Sequence, residues 1–308
     1  MTILVAGATG LAGSAIYREL VSSGEKVVGI SSKDVDLLDR NATFDYFKDL
    51  RPKVVIDAAA KVGGISANNN FPVEFLSENI QIQTNLMDAS HKAGVGKFVF
   101  LASNCIYPKN SPQPMKEEYI SMGPLEPTNS AYAMAKLAGM ELINSYRREF
   151  KHRWITVIPA SLYGPNDNFD VRTSHVFASL IEKFVEAKRS GAKTVNLLGS
   201  GKPLREFLHV EDLAKAIVFC LERYDSDAPI NIGSGLDLTI EVLASKIAKL
   251  TKFSGQIIWD TTKPDGMPQK KLDIEKITKL GWRSLISLED GISSTLNWYC
   301  QKIGFENF

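Results

Sequence analysis

Short apolar runs rich in β-branched residues alternate with longer segments of helical periodicity through the first half of the chain. The short runs predict strands at 3–6, 26–30, 54–56, 97–101 and 155–158. The longer segments predict helices at 11–20, 73–93 and 131–150. Strands that are apolar on both faces and separated by helices are typical of a parallel sheet with βαβ crossovers. The pattern therefore predicts an α/β protein built on a doubly wound parallel sheet.

The alternation loosens after Pro159. A turn-rich loop, YGPNDNFD at 163–170, precedes helices predicted at 176–188, 213–222, 240–250 and 288–303, with short strands between them. We interpret this half as a smaller C-terminal domain that caps the carboxyl edge of the sheet. One strand and one helix near 207–224 are expected to rejoin the large domain. The predicted boundaries are 1–164 with 206–234 for the large domain, and 165–205 with 235–308 for the smaller one.

Composition narrows the class of protein further. The 308 residues carry a net charge of +1, so no basic surplus favours a nucleic-acid or membrane partner. No apolar run approaches the length of a bilayer crossing, and the chain enters its first strand without a charged leader. Three widely spaced cysteines and four histidines without metal-ligand spacing predict neither a disulfide framework nor a metal site. We expect a cytoplasmic protein.

A glycine-rich turn joins the first predicted strand to the first predicted helix. The segment AGATGLAG places Gly7, Gly10 and Gly13 there. Glycines at such a turn let the backbone approach a pyrophosphate at the N-terminus of a helix. The spacing alone is a weak signal, but its position at the start of a βαβ series predicts a dinucleotide-binding Rossmann domain.

The end of the second predicted strand bears on the choice of dinucleotide. NAD sites place a carboxylate there to bind the ribose 2′-hydroxyl. Here Ser31, Ser32 and Lys33 follow the strand, and hydroxyls with an ammonium suit a 2′-phosphate. NADP(H) is therefore the expected cofactor, although Asp34 and Asp36 lie close enough to leave NAD open.

A tyrosine and a lysine share one face of the helix predicted at 131–150. Tyr132 and Lys136 stand at i and i+4 in AYAMAK, and Ser103 ends the strand at 97–101. An ammonium neighbour favours the phenolate and is expected to lower the tyrosine pKa from about 10. A hydroxyl such as Ser103 can bind a ketone oxygen while the phenol protonates the developing alkoxide. The alternative for the tyrosine and lysine alone is an ordinary amphipathic surface.

Six segments resemble the GDP-L-fucose synthase family of the extended short-chain dehydrogenase/reductases. They are AAAKVGGISANN (58–69), SNCIYPK (103–109), QPMKEEYISMGPLEPTNSAYAMAKLAGM (113–140), LYGPNDNF (162–169), REFLHVED (205–212) and KPDGMPQKKLD (263–273). The resemblance covers essentially the whole chain. It implies NADPH, a homodimer formed through a helix bundle, and a GDP-4-keto-6-deoxy-mannose substrate that is epimerised at C3 and C5 before reduction at C4.

The resemblance also implies a role for the thiol in SNCIYPK. A 4-keto group acidifies the hydrogens on the two flanking carbons, and epimerisation needs a base on one face and an acid on the other. Matched to the family motifs, Cys105 is the base and His175 the acid. Ser103 and Tyr132 hold the carbonyl oxygen and stabilise the enolate. The alternatives are an inert core cysteine and a surface or helix-capping histidine.

The remaining expected contacts follow from the same match. Cofactor contacts are expected at Gly7, Thr9, Gly10, Leu11, Gly13, Ser31, Ser32, Lys33, Asp36, Leu37, Ala58, Ala59, Ala60, Tyr132, Lys136, Pro159, Leu162 and His175. Contacts to the nucleotide sugar are expected at Ser103, Asn104, Cys105, Ser161, Lys183, Leu198, Arg205, Asp265 and Lys270. The alternative for each cation is a solvated surface charge.

The chain departs from the family pattern mainly near the substrate. Ala8-Thr9 replaces a His-Arg pair whose arginine contacts the adenosine phosphate, so the NADP preference depends on residues 31–33. Four further positions, where serine, asparagine, an aromatic residue and arginine are usual, carry Asn104, Ser161, Leu198 and Lys183. The tyrosine, lysine and serine of the reductase site are intact.

These departures leave other activities open. One is reduction at C4 without epimerisation, acting on a related GDP-4-keto sugar such as a 6-deoxy-heptose. Another is a non-catalytic dinucleotide-binding protein, although such proteins often lose the tyrosine or lysine retained here. Dehydratases and NAD-retaining 4-epimerases fit less well, because the first place an acidic pair after the site hydroxyl and the second a carboxylate near Ser31.

Overall fold

The computed structural model describes residues 1–170, 173–263 and 265–305. The six quoted motifs lie within these ranges except for Pro264. The strands are β1 (Thr2–Ala6), β2 (Lys26–Ile30), β3 (Val54–Asp57), β4 (Lys97–Leu101), β5 (Ile155–Pro159), β6 (Ser161–Tyr163), β7 (Thr194–Leu198), β8 (Leu204–His209), β9 (Ile230–Ile232), β10 (Asp237–Thr239), β11 (Gln256–Asp260) and β12 (Gln269–Lys270).

The α-helices are connected to these strands in the alternating order that the sequence predicts for the first half. They are α1 (Leu11–Ser22), α2 (Arg40–Leu50), α3 (Ile65–Asn70), α4 (Pro72–Lys92), α5 (Ser130–Phe150), α6 (Val176–Ser190), α7 (Val210–Arg223), α8 (Ile240–Leu250), α9 (Glu275–Leu280) and α10 (Leu288–Ile303). The sequence pattern did not predict α2, α3 or α9. Helix α2 is largely polar and is stabilised at its start by Asp39, whose carboxylate accepts the Ala42 N–H at 3.0 Å.

The large sheet has six parallel strands in the order β2-β1-β3-β4-β5-β9. This confirms the predicted doubly wound α/β fold, and the five predicted strands in it start and end within one residue of the expected positions. Strands β3 and β5 are buried at every residue, as expected for a sheet covered by helices on both faces. The carboxyl ends of β1, β3, β4 and β5 lie at one edge of the sheet.

The chain returns to the large sheet through α7 and β9. Helix α7 packs against α1, and its buried face, which includes Leu213 and Ile217, belongs to the core of the large sheet. The strand β8 does not join that sheet. It pairs instead with β6, β10 and β12 in a smaller sheet.

A second hydrophobic core lies among α6, α8 and α10 and is separate from that of the large sheet. Two buried carboxylates fix its attachment. Asp212 of α7 accepts the backbone N–H of Ile286 at 2.9 Å, and Glu206 of β8 accepts that of Leu272 at 2.7 Å. The second contact holds the segment that carries Lys270 beside β8, facing the edge of the large sheet. None of the described helices combines the length and the hydropathy that a bilayer crossing requires.

Candidate active site

The end of β4 presents a hydroxyl, an amide and a thiol within one tight turn. Ser103 has an extended backbone, and its Oγ accepts the N–H of Cys105 at 3.3 Å, which caps a single 3₁₀ turn. The Asn104 side chain is buried, whereas Cys105 is partly exposed. Because β4 is central in the sheet, this turn lies at the carboxyl edge where ligands of doubly wound sheets bind.

Helix α5 brings Tyr132 and Lys136 to the same place. The Lys136 Nζ lies 6.0 Å from the centre of the Tyr132 ring and 4.7 Å from the centre of the Phe100 ring on β4. Phe75 of α4 packs edge-on against Tyr132, with ring centres 6.3 Å apart. These contacts hold the tyrosine and the lysine over the carboxyl end of the sheet, as the i, i+4 spacing predicts.

The expectation that Lys136 lowers the pKa of Tyr132 is wrong for this structure. Burial raises the pKa of the phenol, the Cys105 thiol and the Asp57 carboxylate act in the same direction, and only the hydroxyl of Ser103 opposes them. Desolvation is the largest cause of this shift, and the charged nitrogen of Lys136 lies 6.0 Å from the centre of the ring. Tyr132 is therefore a protonated phenol at neutral pH, which suits a proton donor.

The thiol of Cys105 is approached by two hydrogen-bond donors. Asn129 Nδ2 lies 3.2 Å from Sγ, and Lys270 Nζ lies 3.8 Å from it. Asn129 is a contact that the sequence reasoning missed. The sequence could have indicated this contact, because Asn129 stands three residues before Tyr132 and so lies on the same side of the start of α5. Two donors directed at sulfur are complementary to a thiolate.

His175 stands at the N-cap of α6, yet its imidazole makes no capping hydrogen bond. The residue is exposed, and desolvation by the groups around it lowers the pKa of its imidazole, assisted by the positive charge of Lys270. Lys270 therefore faces both Cys105 and His175. The side chain of His175 therefore does not cap α6, although the residue is exposed as the surface alternative expects, and the thiol and imidazole lie around one ammonium.

A polar path leads away from the thiol. Burial lowers the pKa of Arg205, while Asp265 and Cys105 favour its charged form. The Arg205 Nη2 lies 3.5 Å from the backbone oxygen of Asp265, and the carboxylate of Asp265 accepts the N–H and the Oγ of Ser200, each at 2.6 Å. These hydrogen bonds from Ser200 lower the Asp265 pKa. Arg205, Asp265 and Lys270 are thus connected to the turn that carries Cys105.

Three other expected substrate contacts are placed differently. Lys183 donates to the backbone oxygen of Asn196 at 3.0 Å, so its ammonium is engaged by strand β7. Leu198 ends the same strand with 65% of its surface exposed. Ser161 starts β6, opposite Phe207 of β8, and is partly buried. None of these three side chains makes a hydrogen bond to Cys105 or Tyr132 within the described residues.

The glycine turn fits a dinucleotide. Gly7 has a φ of +77°, and a Cβ there would lie 2.7 Å from the backbone oxygen of Ala58. A Cβ on Gly13 would lie 2.1 Å from the oxygen of Gly7, so α1 can approach β1 only through a glycine. Thr9, Gly10 and Leu11 sit at the N-terminus of α1, an end of a helix that can bind an anion, although the N–H of Gly10 itself donates to the oxygen of Gly7 at 3.0 Å.

The end of β2 holds a carboxylate after all. Ser31 donates both its N–H and its Oγ to Asp34 Oδ2, each at 2.8 Å, and the hydroxyl bond is the largest cause of the lowered Asp34 pKa. Ser32 and Lys33 are exposed beside it. The other expected cofactor contacts lie at or near the ends of β2, β3, β5 and β6, namely Asp36, Leu37, Ala58, Ala59, Ala60, Pro159 and Leu162.

Comparison with known proteins agrees with this arrangement. Residues 3–233 match the NAD dependent epimerase/dehydratase family, which is the class that the sheet and the glycine turn define. GDP-L-fucose synthase 1 of Arabidopsis thaliana is 47% identical over 304 residues, covering 98% of this chain and 94% of the relative. GDP-L-fucose synthase of Escherichia coli is 43% identical, covering 97% and 96%. The chain therefore belongs to the GDP-L-fucose synthase family.

Two solved structures share the whole architecture. A GDP-6-OMe-4-keto-L-xylo-heptose reductase from C. jejuni has a TM-score of 0.93 at 30% identity and covers 98% of both chains. A GDP-L-fucose synthetase from Naegleria fowleri bound to NADP has a TM-score of 0.90 at 31% identity, covering 98% of this chain and 95% of the other.

Proposed function

We propose that the protein reduces a 4-keto-6-deoxy GDP-sugar at C4 with NADPH and epimerises the same sugar at C3 and C5, as a GDP-L-fucose synthase does. The observation that carries this proposal is the cluster at the carboxyl edge of the sheet. There Ser103 and Tyr132 lie beside a thiol that two donors approach, and Lys270 faces both Cys105 and His175. A plain reductase needs the first two groups only.

The epimerisation is assigned to Cys105 and His175. Cys105, as thiolate, removes the hydrogen from the carbon beside the ketone, and the electron pair moves to the carbonyl oxygen to form an enolate. His175 returns a proton to that carbon from the other face, and the configuration inverts. Ser103 and the phenol of Tyr132 donate hydrogen bonds to the enolate oxygen. Because the pKa of His175 is lowered by desolvation and by Lys270, its imidazole is mostly neutral near neutral pH, and the form that has taken up a proton is a stronger acid than an ordinary imidazolium.

The reduction is assigned to Tyr132. When bound, NADPH supplies a hydride to C4 of the sugar. Tyr132 then protonates the oxygen that becomes the alkoxide, for which a phenol that is fully protonated at neutral pH is suited. Lys136 contributes its positive charge beneath the phenol, and Ser103 orients the carbonyl oxygen. The products are a 4-hydroxy GDP-sugar and NADP⁺.

The cofactor and the nucleotide sugar are proposed to bind to different domains of the chain. Residues 1–164 and 206–234 are proposed to bind NADP(H) through the glycine turn and residues 31–33. Residues 165–205 and 235–308 are proposed to bind the GDP-sugar, with Arg205 and Lys270 at the diphosphate and Asp265 near the guanosine. Support for NADP(H) comes from the NADP-bound relative of the same fold. A cytoplasmic homodimer through a helix bundle remains part of the proposal.

A second candidate is reduction without epimerisation. It is favoured by the TM-score of 0.93 to a 4-keto-heptose reductase and by the departures at Asn104 and Ser161 beside the reacting sugar. A small change of sugar orientation in such a site places C3 and C5 out of reach of the thiol while C4 still faces the cofactor.

Incubation with GDP-4-keto-6-deoxy-D-mannose and NADPH in deuterium oxide separates these functions. The proposal predicts oxidation of NADPH and an L-fucose product with solvent deuterium at C3 and C5, identified by NMR. Oxidation without deuterium at these carbons supports the plain reductase, and no oxidation with hexose or heptose substrates overturns both. Cys105→Ser should abolish the labelling while still reducing an already epimerised intermediate.

A further inference from the structure

A buried carboxylate lies beneath the active-site lysine. Asp57 is the last residue of β3 and has 0% of its surface exposed, and Lys136 has 3% exposed. Asp57 is in register with Phe100 on the neighbouring strand β4, and the Lys136 Nζ lies 4.7 Å from the centre of the Phe100 ring. In-register residues of adjacent parallel strands point to the same face of a sheet. The carboxylate and the ammonium are therefore close neighbours below Tyr132.

Both groups have unused hydrogen-bonding capacity. One oxygen of Asp57 accepts the N–H of Ala59 at 3.1 Å, and the other, Oδ2, is buried without a partner. Among the described residues, the Lys136 ammonium makes no hydrogen bond and forms no direct ion pair with Asp57. Burying a charged group without a hydrogen-bond partner destabilises the folded state. A role in stability alone therefore does not explain why Asp57 and Lys136 are buried here. The arrangement leaves the three N–H donors of the lysine free for a ligand.

The charges of the two groups support one another through the low-dielectric interior. Burial lowers the pKa of Lys136, and Asp57 is the group that raises it. Burial raises the pKa of Asp57 to about 6, and Lys136 opposes this shift more than the Ala59 hydrogen bond does. Tyr132 of α5 is the other titratable group coupled to Asp57, while α4 contributes the uncharged Gln83 above Phe100. A carboxylate acts on an ammonium over several ångströms in such surroundings.

We propose that Asp57 is a positioning residue for the reduction, the buried counter-ion that keeps Lys136 charged while leaving its donors free to bind a ligand beside Tyr132. A direct ion pair would neutralise the lysine equally well but would occupy those donors. The part of this inference that concerns turnover rests on the proposed function, whereas the charge state of Lys136 does not.

The charge state is measured directly by NMR titration of isotope-labelled lysine side chains, with Lys136→Met used to assign the signal. In Asp57→Asn we expect Lys136 to lose its proton at a pH lower by about one unit or more. Asp57→Leu, which fills the buried space without a polar group, should give the same shift and guards against a folding defect of the first variant. Asp167→Asn, which removes another buried aspartate, is the matched control and should leave the Lys136 titration unchanged.

The dependence of kcat on pH tests the consequence for reduction. Wild type should lose activity as Asp57 becomes protonated around pH 6, and this acid limb should be absent from Asp57→Asn. In the same variant the loss at alkaline pH should begin earlier, whereas a merely structural role would lower kcat equally at every pH. An unchanged Lys136 titration, or an unchanged shape of the pH profile, would overturn the inference. If wild type reduces no 4-keto GDP-sugar, the proposed function fails, and the lysine titration still decides the role of Asp57.

Discussion

Asn129 donates its side-chain amide to the thiol of Cys105, with 3.2 Å between Nδ2 and Sγ. The oxygen of the same amide is buried, and no group among the described residues donates a hydrogen bond to it. An amide held in this way orients the sulfur within the site, and a hydrogen bond to an ionised acceptor is stronger than one to a neutral acceptor. The relationship connects the start of α5, which carries the reductase tyrosine, to the proposed base of the epimerisation.

Replacing this amide should therefore damage one half of the reaction more than the other. In Asn129→Ala we expect the rate of deuterium incorporation at C3 and C5 to fall about tenfold, the effect of one lost hydrogen bond to a charged group. Reduction of an already epimerised intermediate should change much less. Deuterium labelling followed by NMR and NADPH oxidation measure the two halves, and Ser130→Ala, which removes a partly exposed hydroxyl bonded to the backbone oxygen of Pro127, is the matched control. Equal loss of both halves would contradict a specific role at the thiol.

The cofactor preference can be tested at Asp34. Its exposed carboxylate accepts both donors of Ser31, so it competes with a 2′-phosphate for these donors and repels its charge. Asp34→Ala should bind NADPH about three- to fivefold more tightly, a change typical of one exposed charge, with little gain for NADH. Calorimetric titration with each dinucleotide measures the effect, and Asp45→Ala on α2 is the control. Weaker NADPH binding in Asp34→Ala would mean that the carboxylate helps to build the site.

The loop after β6 contains a second buried carboxylate with an unpaired oxygen. Asp167 has 5% of its surface exposed, and burial raises its pKa to about 7, while the N–H of Asn168 donates to Oδ1 at 2.7 Å. Because the folded-state pKa lies above the unfolded value, the charged form opposes folding at pH above 7. This penalty disappears as the pH falls through both values.

Asp167→Asn retains an oxygen for Asn168 and removes the charge. It should increase the free energy of unfolding by roughly 2–4 kcal/mol at pH 8, and the gain should vanish near pH 4. Urea unfolding at the two pH values measures it, with the exposed Asp227→Asn as control. A gain that is independent of pH would show that the charge of Asp167 is not its cause.

Most of the fold could be predicted from the sequence, because a helix or strand with a buried face carries a periodic pattern of apolar residues. Strands β1 to β5 of the large sheet and helices α4 and α5 begin and end close to their predicted positions, whereas the bounds of β9 were not predicted. Helix α2 escaped prediction because its polar surface leaves only Thr43 and Phe47 buried, too few for a periodic signal. The strand that rejoins the large sheet was predicted near residue 207, which is β8, whereas it is β9. The apolar pattern of a buried strand is the same in both sheets, so the pattern could not distinguish them.

Within the site, a feature could be predicted when its residues lie close together in the sequence. Tyr132 and Lys136 could be paired from one helical turn, and Ser103 and Cys105 from the end of one strand. The approach of Lys270 to Cys105 spans 165 residues and had no signal apart from the resemblance to a family. The direction of the Tyr132 pKa shift could not be predicted, since it depends on burial by α4 and on Asp57, neither of which periodicity reveals.

The central claim is that the phenol of Tyr132 protonates a sugar ketone as it is reduced. Its most direct test is the rate of NADPH oxidation by Tyr132→Phe with GDP-4-keto-6-deoxy-D-mannose, compared with wild type at equal cofactor saturation. The account predicts a kcat lower by about 10²- to 10⁴-fold, the usual contribution of a general acid, with NADPH binding retained. A Tyr132→Phe enzyme that oxidises NADPH at the wild-type rate would contradict it.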